Sequence, residues 1–419
     1  MADGPAPTKE TIEAAWRIES ARVIGGLVRV VRDLSLAEDL AQEALLAALE
    51  RWPQTGVPDN PGAWLTTVAK NRAMDHLRRS RMLERAHSTI QGEAFKSIDS
   101  REIESDVDES VGDDLLRLVV IACHPVLSKD ARVALTLRLL GGLTTDEIAR
   151  AFLVTEATIA QRIVRAKRTL TEARVPFDVP RGQDLASRLP SVFEVVYLIF
   201  NEGYAATRGE DWMRVELCED ALRLGRIVAA LVPDNAEAHG LLALMELHAS
   251  RANARIGPSG EPILLLDQDR SRWDPRLVHG GLAVLARAES LARPLGPYTL
   301  QAAIAACHAR ARSAGETDWK RIVALYDALV EITQSPLVEL NRAIAVGMEF
   351  GPAVALELVD GLVDDPALKD YHLLPSVRGD LLYKLGRLDE AGGEFARAAA
   401  MTQNAREREF LLGRARACG

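Results

Sequence analysis

Apolar residues spaced by three and four recur along most of the chain, while strictly alternating apolar–polar runs are nearly absent. The clearest instance is 141–170, GGLTTDEIARAFLVTEATIAQRIVRAKRTL. Thr144 and Glu147 form a Thr-x-x-Glu capping box that predicts a helix start. Ile148, Ala149 and Phe152 share one face of that helix. Leu153-Val154-Thr155 breaks the pattern, and Thr155 is a second N-cap candidate. The following helix spaces Ile159, Ile163, Ala166 and Leu170 for burial and carries Thr158, Gln161, Arg162, Arg165 and Arg168 on its other face. This pattern predicts a helix-turn-helix, in which a bracing helix lets its successor present polar and basic groups to a DNA major groove. A helical hairpin with a solvated basic face is the alternative at this point.

Upstream, residues 1–9 are Pro/Ala-rich and predict a disordered start. Residues 10–34 are helical in period. Ser35 with Glu38 then predicts a second capping box and a helix, SLAEDLAQEALLAALERW. That helix buries Leu36, Leu40, Ala44, Leu45 and Ala48, and leaves Asp39, Gln42, Glu43 and Leu46 outward. A Pro/Gly-rich loop, Pro53 to Gly62, precedes a third helix, WLTTVAKNRAMDHLRRSRM, with Trp64, Leu65, Val68, Met74 and Leu77 for its core. Lys70, Asn71, Arg72, Arg78, Arg79 and Arg81 lie on its surface. Such basic groups neutralise phosphates, and Asn pairs bidentately with a base edge. A solvated charged face fits this helix equally well.

Charge sharpens the division. The chain of 419 residues has a net charge of −9, the wrong sign for a protein that coats DNA, so any nucleic-acid site is a local patch. Residues 93–114 carry nine acidic and two basic residues with little apolar content, and read as a flexible acidic linker. Without that linker the first 180 residues have a net charge of +4. Aromatics are only 5%, and Ala, Leu, Arg and Glu favour helix with almost no sheet. Cys123, Cys218, Cys307 and Cys418 are scattered, with no Cys-x-x-Cys pair, so neither a metal site nor a disulfide framework is expected, and no cofactor motif occurs. No signal peptide or apolar run of membrane length is present, which predicts a cytoplasmic protein without membrane contact.

Prolines in VPFDVPRGQ mark a boundary, after which about 240 residues of net charge −6 follow as paired helices. In YKLGRLDEAGGEFARAA, Gly386, Ala391, Phe395 and Ala398 fit the turn and second helix of a tetratricopeptide repeat. Pro233 and Pro336 sit between outgoing and incoming helices in two weaker echoes. Such a tetratricopeptide-like array offers a concave surface to a protein or peptide partner. Two segments interrupt it: VYLIFNEGYAAT, and EPILLLDQDRSRWD, which predicts a short hairpin or extended stretch and a charged turn. Asn201, Glu202, Asp267, Gln268, Asp269 and Arg270 are candidates for a polar pocket. No nucleophile, metal cluster or phosphate loop accompanies them, so caps and structural ion pairs are the expected use.

The three N-terminal motifs, DLAQEALLAALERW, PGAWLTTVAKNRAMDHLRR and the helix-turn-helix, resemble in order and spacing a bacterial RNA polymerase sigma factor of the extracytoplasmic-function (ECF) group. The C-terminal segments resemble the extension of one ECF subgroup. The resemblance implies an all-α protein: sigma domain 2 over 10–92, the linker 93–114, sigma domain 4 over 115–175, and a helical-repeat regulatory domain over 180–419. It implies no enzyme activity, and core RNA polymerase and promoter DNA as partners. Asp39, Gln42 and Glu43, with the outward Leu46, match the polymerase-docking surface. Trp52 matches the aromatic that captures a flipped −10 base. Asn71 matches a base reader, with Lys70, Arg72, Arg78 and Arg79 on the backbone. Thr158, Gln161, Arg162 and Arg165 match the face that reads the −35 element, with Lys167 and Arg168 on phosphates. Ala160 departs from the larger polar group of many relatives, which implies a different base preference there. A one-component regulator with a sensing repeat domain is the competing reading, although it needs no polymerase-docking helix.

Overall fold

The computed structural model describes residues 9–91, 111–206, 208–209, 212–258 and 261–419. The Pro/Ala-rich start before Lys9 and residues 93–110 of the acidic stretch lie outside the described residues. Among those described, everything regular is helical except one pair of two-residue strands. The fold divides into two compact units, Met1–Val195 and Val196–Gly419.

In the first unit, α1 (Lys9–Val31), α2 (Leu34–Thr55) and α3 (Pro61–Gln91) pack on one another. Ala37, Ala41, Ala44 and Ala48 lie fully buried along one side of α2, where small side chains permit close helix approach. The expected Ser35–Glu38 capping box does not form. Asp33 caps α2 instead, accepting from Leu36 N at 2.9 Å, and the Glu38 carboxylate turns into the core. The predicted loop is also shorter, because α2 runs through Pro53 and α3 starts at Pro61 under an Asn60 cap (Ala63 N to Oδ1, 2.9 Å).

The helix α4 (Val111–Ala122) lies against α1 so closely that a Cβ on Gly25 would come 2.5 Å from the Asp114 carbonyl oxygen. After it come α5 (Lys129–Thr136), a π-helical turn to Gly141, α6 (Thr145–Phe152) and α7 (Glu156–Glu172). The capping box of α6 is complete: Glu147 N donates to Thr144 Oγ1 at 3.2 Å and Thr144 N to Glu147 Oε2 at 2.7 Å. Leu153, at φ +50°, makes the tight turn, and Thr155 caps α7. Ile148, Ala149, Ile159, Ile163, Ala166 and Leu170 are buried, as the periodicity predicts.

One carboxylate joins these two helical groups. Glu38 on α2 is 6% exposed. Arg138, in the π turn, donates Nε–H to its Oε1 at 2.7 Å, and Lys167 of α7 approaches Oε2 at 2.6 Å. Gln42 donates to the same Oε1 at 3.3 Å. A more exposed pair, Arg17–Glu147 at 2.7 Å, runs parallel to it.

The helix α8 (Gly182–Tyr204) carries the chain past the boundary. In the second unit, α9 (Val215–Leu231) and α10 (Ala236–Ala249) precede a stretch of 3-10 turns. There follow α11 (Pro275–Leu291), α12 (Pro297–Arg310), α13 (Trp319–Thr333), α14 (Pro336–Phe350), α15 (Pro352–Asp360), α16 (Leu373–Lys384), α17 (Leu388–Met401) and α18 (Ala405–Arg416). From α9 onward each helix packs on its successor, as in a solenoid. Pro233 sits between α9 and α10, Pro336 opens α14, and Gly386 turns between α16 and α17 at φ +74°. Phe395 fills a core with Ala391, Ala398, Leu382 and Leu411, and its ring meets α16 at Gly379. The segment 261–274 is neither hairpin nor strand: it makes one bridge, Ile256 with Pro262, and then 3-10 turns. The strands β1 (Arg208–Gly209) and β2 (Gln403–Asn404) pair in parallel, and Asn404 Nδ2 donates to Ala206 O at 3.0 Å.

Two outcomes are expected from this packing. Burial alone would raise the Glu38 carboxyl, but Lys167 and then Arg138 outweigh it and hold the group below its ordinary value of 4.5. A depressed folded-state value gives stability that is complete above the unfolded value and is lost as pH falls through the folded one. Glu38→Gln therefore costs about 2–3 kcal/mol in urea unfolding at pH 7, less than a fully dry pair because Arg138 and Lys167 keep some solvent. The difference from wild type shrinks below about pH 4. In the second unit, Phe395→Ala costs about 3–5 kcal/mol by the same measurement, since a ring-sized cavity is left between α16 and α17.

Candidate polymerase- and promoter-binding surfaces

The outward face of α2 is open. Asp39, Glu43 and Leu46 are exposed as expected, whereas Gln42, also expected outward, is half-buried against Glu38. Glu43 pairs with Arg72 of α3 at 2.5 Å, which places one expected docking residue beside one expected DNA residue. Along α3, Asn71, Arg78 and Arg79 are exposed and Lys70 is half-buried. Arg78 is within 3.4 Å of Asp75, an exposed pair that costs little to break.

Trp52 is corrected. It is 1% exposed and packs edge-on against Trp64, with ring centroids 5.3 Å apart. The shorter loop explains this: Trp52 still lies inside α2, on the stripe of Ala41, Ala44 and Ala48, and its ring belongs to the core rather than to a base pocket.

On α7, Gln161, Arg165 and Arg168 are exposed, and so is Ala160. Thr158 and Thr155 share a hydroxyl hydrogen bond of 2.8 Å. Arg162 is half-buried and pairs with Asp130 of α5 at 3.0 Å, while Arg168 pairs with Glu172 at 2.6 Å. Lys167 is not a free phosphate ligand here, because Glu38 neutralises it. Glu38, Arg138 and Asp130 were missed from sequence. The signal for Glu38 was its place among buried alanines, where a carboxylate requires a cation.

The six polar residues of the extension do not form one pocket. Glu202 pairs with Arg214, Asp269 caps Ser271, Gln268 donates to Ile263 O at 3.1 Å, and Asn201 and Asp267 are exposed. Arg270 points elsewhere, donating to His308 O at 2.7 Å and Ala311 O at 2.6 Å. The four thiols are buried, and burial pushes Cys123 to about 11 and Cys218 to about 12, far from a nucleophile's range. Among the described residues no His, Cys, Asp and Glu side chains gather as a metal site, and no helix is long and apolar enough to cross a membrane.

Comparison with known families agrees with this geometry. Residues 18–82 match sigma-70 region 2, residues 117–170 match sigma-70 region 4, and residues 188–289 match a family of unknown function, DUF6596. An uncharacterized protein of Rhizobium meliloti is 42% identical over 93% of this chain and 92% of its own length. The probable ECF RNA polymerase sigma factor SigI of Mycobacterium tuberculosis is 29% identical over 42% of this chain, and the chain spans 59% of it. The RNA polymerase sigma-H factor of Pseudomonas aeruginosa is 30% identical over 37% of this chain and 81% of its own length. No solved structure matches. Two sigma regions in order, one on the α1–α3 group and one on the helix-turn-helix, are joined to a helical extension, and the chain belongs to the ECF group of RNA polymerase sigma factors.

Proposed function

We propose that the outward face of α2, with Asp39, Gln42, Glu43 and Leu46, docks on core RNA polymerase, and that α3 and α7 read the two promoter elements. The observation that carries the docking reading is the exposure of Asp39, Glu43 and Leu46 on a helix whose opposite side is closed by alanines. Lys70, Asn71, Arg72, Arg78 and Arg79 serve the −10 element. Thr158, Gln161, Arg162, Arg165 and Arg168 serve the −35 element, joined by Lys167 when it leaves Glu38. In this reading 10–92 and 115–175 are the two sigma domains, 93–114 is their tether, and 180–419 is a regulatory helical-repeat domain with a protein or peptide partner. The chain acts in the cytoplasm and performs no catalysis of its own.

This function requires the two sigma domains to part. Elements named −10 and −35 are about 25 base pairs apart, which is ~85 Å along B-DNA. Helices bridged by a 2.6 Å ion pair between Glu38 and Lys167 cannot serve both. The 19 residues 92–110 between α3 and α4 reach at most ~65 Å when extended, enough with the width of the domains themselves.

The helical extension is positively required for transcription. Its last helices complete the core around Phe395 and Leu411, and β2 returns to pair with β1, so loss of the end exposes apolar surface and unties Ala206.

The defining experiment is run-off transcription with core polymerase. Asp39→Arg with Leu46→Ala lowers core binding at least about tenfold in co-sedimentation and leaves helicity and melting unchanged, because both side chains stand in solvent; unaltered binding removes the docking assignment. Deletion from residue 390 lowers transcript yield at equal soluble protein. A truncated chain more active than full length would establish the extension as an inhibitor instead.

A further inference from the structure

Three arginines of the second unit converge without an ion-pairing carboxylate among the described residues. Arg251 and Arg255 follow α10, and Arg270 begins the last 3-10 turn before α11. The Arg255 guanidinium stacks 3.6 Å from the Tyr204 ring centroid and donates to the Tyr204 carbonyl. The Arg251 guanidinium lies 5.8 Å from the centroids of both Tyr204 and Trp273, and that of Arg270 lies 5.2 Å from Trp273. Arg251 and Arg255 are only 9% and 8% exposed. Arg270 is taken by the carbonyls of His308 and Ala311 and by Thr317 Oγ1 at 3.1 Å. Among the described residues none of the three forms an ion pair within 4.0 Å.

Several buried donors in the same neighbourhood also lack a hydrogen-bond partner: Arg251 Nε, Trp273 Nε1 and His308 Nδ1. The charges act on one another. Burial, followed by Arg251 among others, lowers Arg255, and burial followed by Arg251 lowers Arg270. Burial and then Arg251 and Arg270 bring His308 to about 4, and His248, beside Tyr204, is pushed well below its ordinary value by burial and then by Arg251 and Arg255. Both imidazoles are therefore neutral at pH 7 and add no cation. The acid that acts on Arg270, Glu316, is exposed and forms no ion pair with it. Among the described residues these guanidinium groups are faced by aromatic rings, carbonyl and hydroxyl oxygens and one another, so no carboxylate offsets their charge, and such a charge calls for a counter-ion.

We propose that Arg251, Arg255 and Arg270, walled by Tyr204 and Trp273, form a binding site for a small multivalent oxyanion, a phosphoryl or carboxylate group carried by a soluble ligand. The slight exposure of Arg251 and Arg255 excludes a helix or a nucleic-acid strand and admits a compact group. Guanidinium forks match both oxyanions in geometry, and the buried N–H groups of Trp273 and His308 supply further donors. The neutral His308 tautomer with its proton on Nδ1 is the one that donates.

The test is thermal melting and isothermal titration of the full chain with inorganic phosphate, pyrophosphate and succinate, each against sodium chloride at equal ionic strength. Binding of a ligand to the native state alone raises Tm. A saturable rise of at least about 2 °C over chloride is expected with one oxyanion class, which also tells phosphoryl from carboxylate. Arg251→Met abolishes the rise, and in chloride it melts no lower than wild type, because it removes an uncompensated charge and keeps the bulk. Should Arg251→Met not fold, Arg255→Met carries the same comparison. Equal wild-type melting in all four salts overturns the proposal. So does an oxyanion response retained in a folded variant, or failure of both variants to fold in chloride, which would make the arginines structural.

Discussion

The first unit depends on one buried carboxylate. Glu38 sits where the alanine stripe of α2 calls for an apolar residue, and it is tolerated there because Arg138 and Lys167 reach it from the helix-turn-helix group. A buried ion cluster is seldom the most stable way to fill a core, but it is specific. It holds one arrangement of the two sigma regions, and it can be exchanged for another partner of the same charge. In the proposed function DNA phosphate is such a partner for Lys167, and the contact that packs the free protein is then one for promoter binding to replace.

Local signals were the legible part of the chain. The Thr144–Glu147 capping box, the Thr155 cap and the spacing from Ile148 to Leu170 each concern residues within one or two helical turns, and each stands as read. The outward set Asp39, Glu43 and Leu46 was legible for the same reason. Errors arose where two local rules competed. Ser35 with Glu38 satisfied the capping pattern, but Asp33 captured the cap from two residues earlier. Pro53 looked like a helix end, yet a helix can carry a proline in its last turn, so Trp52 stayed inside α2 and in the core.

Long-range pairing was not legible. Nothing in the neighbourhood of Lys167 announces Glu38, and nothing near Ala206 announces Asn404. The extension shows this most clearly. Its paired helices were legible from Pro336, Gly386 and Phe395, and caps and ion pairs were the expected use of Asn201, Glu202 and Asp267–Arg270, whereas the gathering of arginines was not legible. The structure divides those polar residues into caps, an ion pair and one arginine that joins Arg251 and Arg255 from another turn. That convergence needs the fold of α8, α10 and α12 before it exists.

The central claim is that regions 2 and 4 lie together in the free protein and separate to span a promoter. It is tested most directly by fluorescence energy transfer in the full chain, with dyes at the exposed positions Ile18 on α1 and Val126 between α4 and α5, while core polymerase and then promoter DNA are added. The account predicts efficient transfer in the free chain and its near-complete loss in the promoter complex, where the elements are ~85 Å apart. Transfer that stays high in a transcribing complex would contradict it.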